Sequence, residues 1–398
     1  MDTNMLAREK IEQATGILKE RNLDCWLTFV RETTAQSDPA LQLIADFDLT
    51  WPSALIITRK GETIAIVGRY DADVVRESGL YTTLLTYDED ISETLVATLS
   101  RLNPHQVAIN FSLGDVTADG LTHGMFLQLA ETLAPTPYID RLISSGPIIS
   151  SLRARKTASE LQLMRKAIAI TEEIYAKVGT FLQPGRTERQ IAGLMHDELK
   201  RRGLSTAWPG KHCPIVQAGP EACIGHSSPT DRIIRPGMLV HIDFGVSYQG
   251  YCSDMQRMWY MLEPGENQAP EPLRHAFQAA VTAIETGKAA LRPGVPGYEV
   301  DAAARATLVS AGYPEYKHAL GHTVGRYVHD GGPLLGPRWP RYGETPEQRV
   351  EADSVFTLEL GMMTGRGYIG LEDEVLVTPR GAEWISPFQR ELRYVSAG

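Results

Sequence analysis

The sequence predicts an α/β domain over residues 1–150 followed by an α+β domain over 151–398 with an internal pseudo-twofold repeat. Three observations predict it. Short apolar strands alternate with amphipathic helical stretches up to about residue 150. Beyond that, a helix–Pro-Gly–helix unit occurs twice, with Pro184 and Pro293 separated by 109 residues and Gly203 and Gly312 by the same 109. Each unit then runs into a strand ending in acid-apolar-Gly, Asp243-Phe244-Gly245 and Glu359-Leu360-Gly361, and a second acidic strand follows with Asp254 or Glu372.

Composition narrows the classes. Of 398 residues, 43% are hydrophobic and 22% charged, the balance of an ordinary globular chain. A net charge of −10 argues against a nucleic-acid or anionic-membrane surface. Cys25, Cys213, Cys223 and Cys252 form no CxxC pair, so reduced thiols are expected. The N-terminal stretch lacks the apolar core of a signal peptide, and no apolar run approaches the roughly 20 residues of a membrane span. A soluble, cytoplasmic protein is expected.

The elements follow in order. Residues 5–21 read as an amphipathic helix and Cys25–Val30 as a buried strand. Ser53–Thr58 and Thr63–Val67 flank a Lys60-Gly61 turn and read as a hairpin. A helix near 90–101, a strand near 106–110 and a helix near 119–133 complete the first domain, which closes at Ser144-Ser145-Gly146-Pro147. Thr157 with Glu160, and Thr187 with Gln190, are capping boxes that open the first helix pair. Gly203 ends that pair as a C′ residue. Helices over 272–290 and 297–311 form the second pair.

Between the pairs, residues 238–261 read as two strands around a Gln249-Gly250 turn, with His241 and Asp243 on one face and Val240, Ile242 and Phe244 on the other. Aspartate is depleted in strands and costly to bury alone, so Asp243 and Asp254 call for something positive between them. One structural salt bridge plus one exposed aspartate is the bland alternative. If the two halves face each other, four carboxylates meet, and they share a site only if cations neutralise them. Two divalent metals answer this requirement, and the segment His318-Ala-Leu-Gly-His322 offers a nitrogen ligand.

Asp243, Asp254, His322, Glu359 and Glu372, in that order, resemble the five metal ligands of the creatinase/aminopeptidase P/prolidase family, the M24 "pita-bread" metallopeptidases. The resemblance spans about 155–398 and includes Asp-Phe-Gly, Gly-Tyr-Cys-Ser-Asp, His-x-x-x-His-x-x-Gly and Leu-Glu372-Asp-Glu. It implies a creatinase-type N-terminal domain, a homodimer, and a small peptide as substrate. It also implies cleavage of the Xaa-Pro bond by a metal-bridging hydroxide with Glu359 as general base. His226 and His329 match histidines that contact substrate, shuttle protons or stabilise the carbonyl oxygen, and His318 matches a third substrate-facing histidine. An oxygen-rich set with one imidazole suits manganese, with cobalt and zinc as alternatives.

The chain also departs from the family pattern. Met363 and Gly370 stand where these peptidases commonly carry Tyr and Arg, and Gln256 where Thr is usual. Xaa-Pro dipeptidase is therefore the leading expectation, with Xaa-Pro aminopeptidase on longer peptides or hydrolysis of a small non-peptide C–N bond beside it. Arg366 and Arg326 are candidate replacements for the guanidinium. Gly365-Arg-Gly-Tyr-Ile-Gly370 fits GxGxxG but lies between two acidic strands, so it reads as a loop. Cys252 reads as a buried neutral thiol.

Overall fold

The computed structural model describes residues 3–222, 225 and 227–396, so His226 and Cys223 lie outside the described residues. The chain divides into two compact units, Met1–Arg153 and Ala154–Gly398.

The first unit holds β1 (Cys25–Val30), β2 (Ser53–Thr58), β3 (Thr63–Gly68), β4 (Thr83–Tyr87), β5 (Val107–Ile109) and β6 (Leu142–Ser144) in the sheet order β4-β3-β2-β1-β5-β6. The β1–β2 and β2–β3 pairs are antiparallel, and the outer pairs are parallel. Every residue of β1, β2 and β3 is buried because both faces are covered. Trp26, Leu55, Ile57, Ala65 and Val67 pack with Ala7, Ile11, Ala14 and Leu18 of helix Thr3–Glu20. Leu27, Phe29, Ile56, Ile64 and Ile66 pack with Leu95 and Leu99 of helix Ser92–Leu102 and Met125 and Leu129 of helix His123–Leu133. The segment Ser144–Pro147 does more than connect: Gly146 opens a helix to Ala154 whose Ile148, Ile149 and Leu152 join the first of these cores. Pro147 fits there because the first helical turn needs no N–H donor.

In the second unit, helices Ala158–Phe181 and Glu188–Arg202 both start on complete capping boxes, at Thr157/Glu160 and Thr187/Gln190. Helices Glu271–Ala290 and Gly297–Ser310 are the second pair. The strands are β7 (Ser205–Thr206), β8 (Ile215–Ala218), β9 (Leu239–Phe244), β10 (Val246–Tyr248), β11 (Tyr251–Cys252), β12 (Met255–Met261), β13 (Val355–Thr364), β14 (Gly367–Thr378), β15 (Gly381–Trp384) and β16 (Arg393–Val395). Seven form one sheet along β13-β14-β12-β9-β8, with β15 on β14 and β16 on β12. Ile174, Val178 and Ile191 of the first helix pair pack on Val240, Ile242, Trp259 and Met261. Ala280, Ile284, Val300 and Ala304 of the second pack with Leu358, Leu360, Ile369 and Leu371. Each helix pair thus covers its own part of the sheet.

The two halves differ where the sequence predicts likeness. The two strands expected over 238–261 are each broken, into β9 and β10 and into β11 and β12. At Gly245 a Cβ would lie 1.9 Å from the Ser253 carbonyl oxygen, so only glycine lets the two chain segments cross this closely. β10 and β11 leave the main sheet, and β10 pairs with β11 on one side and β7 on the other. Asp254 therefore sits in the gap between β11 and β12 rather than inside a strand. The counterparts β13 and β14 run unbroken, with Glu359 directly opposite Glu372. Among the described residues, no helix is long and apolar enough to cross a membrane.

Candidate metal centre

Four strands and one loop bring the acidic groups together. Asp243 lies on β9 opposite Gln256 of β12, and Gln256 in turn lies opposite Glu372 of β14. Asp254 is held in its gap by its backbone N–H, which donates to Glu374 Oε1 at 2.9 Å. His322 is pinned to β13: its N–H donates to Thr357 Oγ1 at 3.2 Å, and the Thr357 N–H donates to its carbonyl at 2.9 Å.

The histidine ring faces the cluster in a defined way. Nδ1 lies 3.3 Å from the Thr323 carbonyl, to which it donates, and this leaves Nε2 with a bare lone pair. That lone pair lies 3.8 Å from Asp254 Oδ2, 3.7 Å from Glu359 Oε1 and 3.7 Å from Glu372 Oε1. Single ligand atoms of Asp254, His322 and Glu372 all lie within 4.8 Å of one another. Asp243 Oδ1 and Glu372 Oε1 are buried without a hydrogen-bond partner among the described residues. A lone pair facing three carboxylates, beside two orphaned carboxylate oxygens, is a donor set that fits a cation.

The electrostatics agree. Burial pushes Asp243 up to about 7 and, with Asp243 nearby, Glu359 up to about 8. Asp254 and Glu372 are driven well above the ordinary carboxylate range by burial and by the neighbouring carboxylates. Burial, and then His329, push His322 down to about 3, so a proton on the imidazole does not balance the cluster. The pocket above has a volume of about 370 Å³. Asp243, Asp254, His322, Glu359 and Glu372 line it on one side, and Trp208, Pro209, Ile215 and Val328 give it an apolar wall.

The other expected residues fall out as follows. His329 lines the pocket, its ring edge-on to His322 at 4.4 Å between centroids. His318 does not line it: Nδ1 meets the Ala319 carbonyl at 2.7 Å and the ring packs against Tyr316. His226 lies outside the described residues. Neither candidate arginine lines the pocket, because Arg366 is tied to Glu263 at 2.7 Å and Arg326 stacks over Tyr251. Of the GxGxxG stretch, Gly367–Gly370 opens β14, so only its first two residues are a turn. Cys252 is buried, and burial raises its thiol to about 12.

His241, Gln256 and Tyr368 take positions at the centre that sequence reading did not assign to them. His241 Nε2 donates to Gln256 Oε1 at 2.8 Å, and Gln256 Nε2 donates to Glu372 Oε2 at 2.9 Å, a relay that orients the carboxylate. Tyr368 packs its ring edge-on to His241 at 5.2 Å between centroids. The alternation Tyr368, Gly370, Glu372 along one strand face was the available signal.

Comparison with known proteins gives a consistent result. The model of metallopeptidase family M24 matches residues 162–379. The Xaa-Pro dipeptidase of Pyrococcus furiosus is 30% identical over 247 residues, 62% of this chain and 66% of that protein. Among solved structures, an Xaa-Pro dipeptidase from Bacillus anthracis superposes with a TM-score of 0.73 at 23% identity, covering 98% of this chain and 100% of that one. An X-Pro aminopeptidase from Thermotoga maritima superposes at 0.69 with 21% identity, covering 97% and 99%. At these identities the structural likeness establishes the pita-bread fold alone.

Proposed function

The chain belongs to metallopeptidase family M24, and from that premise we propose that it is an Xaa-Pro dipeptidase working with two divalent metal ions. The convergence of His322 Nε2 with Asp254, Glu359 and Glu372, beside the orphaned Asp243 Oδ1, carries the reading. Asp243, Asp254, His322, Glu359 and Glu372 would hold the ions, which when bound supply Lewis acidity and make water acidic enough to attack at neutral pH. Glu359, whose carboxylate lies 3.7 Å from His322 Nε2 in the cluster, takes the proton of the attacking water. His329, on the pocket wall, donates to the scissile carbonyl oxygen as charge develops there. His226 is assigned proton transfer by resemblance alone. His318, turned onto Ala319, is left out of the substrate contacts. Four carboxylates with one imidazole favour manganese. A homodimeric, cytoplasmic enzyme belongs to the same proposal, on the resemblance and the composition.

One observation favours a second reading. Among the described residues that line the pocket, none is Lys or Arg. The free carboxylate of a dipeptide would find no guanidinium or ammonium there, which suits a longer Xaa-Pro peptide or a neutral amide. The test is cleavage of the Xaa-Pro bond, read as proline released from Ala-Pro and Gly-Pro and as the N-terminal residue released from an Xaa-Pro-Xaa tripeptide, after chelation and manganese restoration, with Asp254→Asn as control. Metal-dependent release from the dipeptides, lost in the variant well beyond the roughly 10–100-fold cost of altering an outer-shell partner, supports the dipeptidase. Cleavage of the tripeptide alone makes it an aminopeptidase. Bound manganese with no Xaa-Pro bond cleaved in any of them overturns the Xaa-Pro assignment.

A further inference from the structure

Tyr368 stands on the same sheet face as two of the clustered carboxylates. In the β13–β14 register Glu359 lies opposite Glu372, Gly361 opposite Gly370, and Met363 opposite Tyr368. Residues two apart on a strand share a face, so Tyr368, Gly370 and Glu372 line up with Met363, Gly361 and Glu359. The phenol ring does not stand up from this face. It lies across it, from β14 towards β13, over the two glycines. A Cβ on Gly370 would come 2.7 Å from Tyr368 Cε1, and a Cβ on Gly361 would come 1.9 Å from the Tyr368 hydroxyl oxygen. Any side chain at either position would expel the ring. The His241 ring, edge-on at 5.2 Å, holds it from the side of β9.

The hydroxyl thus ends above Gly361, two residues from Glu359, and makes no hydrogen bond to another described residue. Burial comes first in raising this phenol well above its ordinary value, and Glu359, Asp243 and Glu372 add to it. It stays protonated across the neutral range and has a donor to give. No described residue accepts it.

Tyr368 does not line the pocket of about 370 Å³, so a substrate meets it only by extending from the cluster along the face of Gly361 and Gly370. We infer that it does so, and that Tyr368 is a further catalytic residue whose hydroxyl donates a hydrogen bond to the oxygen of the group attacked at the carboxylate cluster. This rests on the hydrolytic reading of the site above. The phenol is seated by two strands and two missing side chains, so the donor is in place before substrate arrives and needs no reorganisation.

Tyr368→Phe removes only the hydroxyl. Two readouts test it on manganese-loaded protein, with metal content and melting temperature followed in the same samples. The first is kcat and KM on whichever Xaa-Pro peptide the wild type cleaves, where kcat should fall about 10²–10³-fold, as for other single oxyanion donors. KM should change little. The second needs no turnover: inorganic phosphate serves as a tetrahedral oxyanion. The variant should bind it about tenfold more weakly, and phosphate should perturb the wild-type tyrosine absorption band, an effect the variant lacks. If the wild type cleaves no Xaa-Pro peptide but the phosphate results hold, the peptidase reading fails and the Tyr368 assignment stands. If the wild type cleaves, and the variant matches it within twofold in both kcat and phosphate affinity, the assignment is overturned. An unperturbed tyrosine band in phosphate-saturated wild type also overturns it, whether or not the variant folds.

Discussion

Each unit buries an aspartate beside a sheet, and the two are treated in opposite ways. Asp38 in the first unit is 2% exposed. Its Oδ1 accepts from the Ala40 N–H and its Oδ2 from Asn110 Nδ2, both at 2.8 Å. Asn110 Oδ1 in turn accepts from Trp26 Nε1 at 2.6 Å and Ser145 Oγ at 2.8 Å. Burial raises Asp38, while Asn110, Ala40 and then Arg153 pull it back. That knot is closed, and closed polar networks hold a fold in one arrangement. Asp243 in the second unit keeps Oδ1 bare and buried, as Glu372 keeps Oε1. Burial of charge is common to both; what separates a structural knot from a reactive centre is whether the lone pairs are filled from within the chain.

The contrast is broken most severely by exchanging one carboxylate on each side. Glu372→Gln should remove metal-dependent hydrolysis by more than the roughly 10–100-fold of an outer-shell change and lower bound metal, while Asp38→Ala should cost about 1–3 kcal/mol of stability and leave metal content at the wild-type level. Elemental analysis and denaturant unfolding of the two variants check both halves. Equal metal loss in both would erase the distinction.

A gentler change tests the relay. Gln256→Leu removes the donor to Glu372 Oε2 and the acceptor for His241. Manganese affinity should fall about 10–100-fold, measured by titration against a competing chelator. A shift under twofold would mean that the carboxylate is oriented without Gln256.

The smallest effect is in stability against pH, and its sign is opposite to the usual one for carboxylates. Asp243 at about 7 and Glu359 and Glu374 at about 8 keep protons in the metal-free fold that the unfolded chain releases near pH 4. Stability contributed by these groups is therefore lost as pH rises towards 8. His241 at about 4 and His322 at about 3 act the other way, but only below about 6.5. Between pH 6.5 and 8.5 the carboxylates decide. The melting temperature of chelated protein should fall over that window, by about 2–4 °C for each kcal/mol lost, and manganese should cancel the part owed to Asp243 and Glu359 because the ions take the place of their protons. A chelated protein that melts higher at pH 8.5 would show that these acids are not buried together uncompensated.

Much of the centre is legible in the chain itself. Asp243, Asp254, Glu359 and Glu372 stand out because acids in apolar sequence demand a counter-charge, while His322 is singled out by the family resemblance. The capping boxes at Thr157 and Thr187 and the 109-residue spacing of the helix pairs are local patterns, and the helices formed where those patterns placed them. Pattern fails where the deciding neighbour is distant in sequence. Asp254 reads as a strand residue until Ser253 is seen crossing Gly245. His318 and His322 read alike, four residues apart, until Thr357 and Thr323 fix the one and Ala319 takes the other. Tyr368 reads as one more strand aromatic until the register lays it over Gly361.

By itself, then, the sequence determined which elements form and which side chains carry charge, because propensity, caps and ionisable chemistry belong to a residue and its near neighbours. The tertiary structure alone decided which lone pairs remain unfilled among the described residues and which hydroxyl lies over Gly361. A vacancy of that kind is the sum of every strand packed around it, and no single stretch of chain contains it.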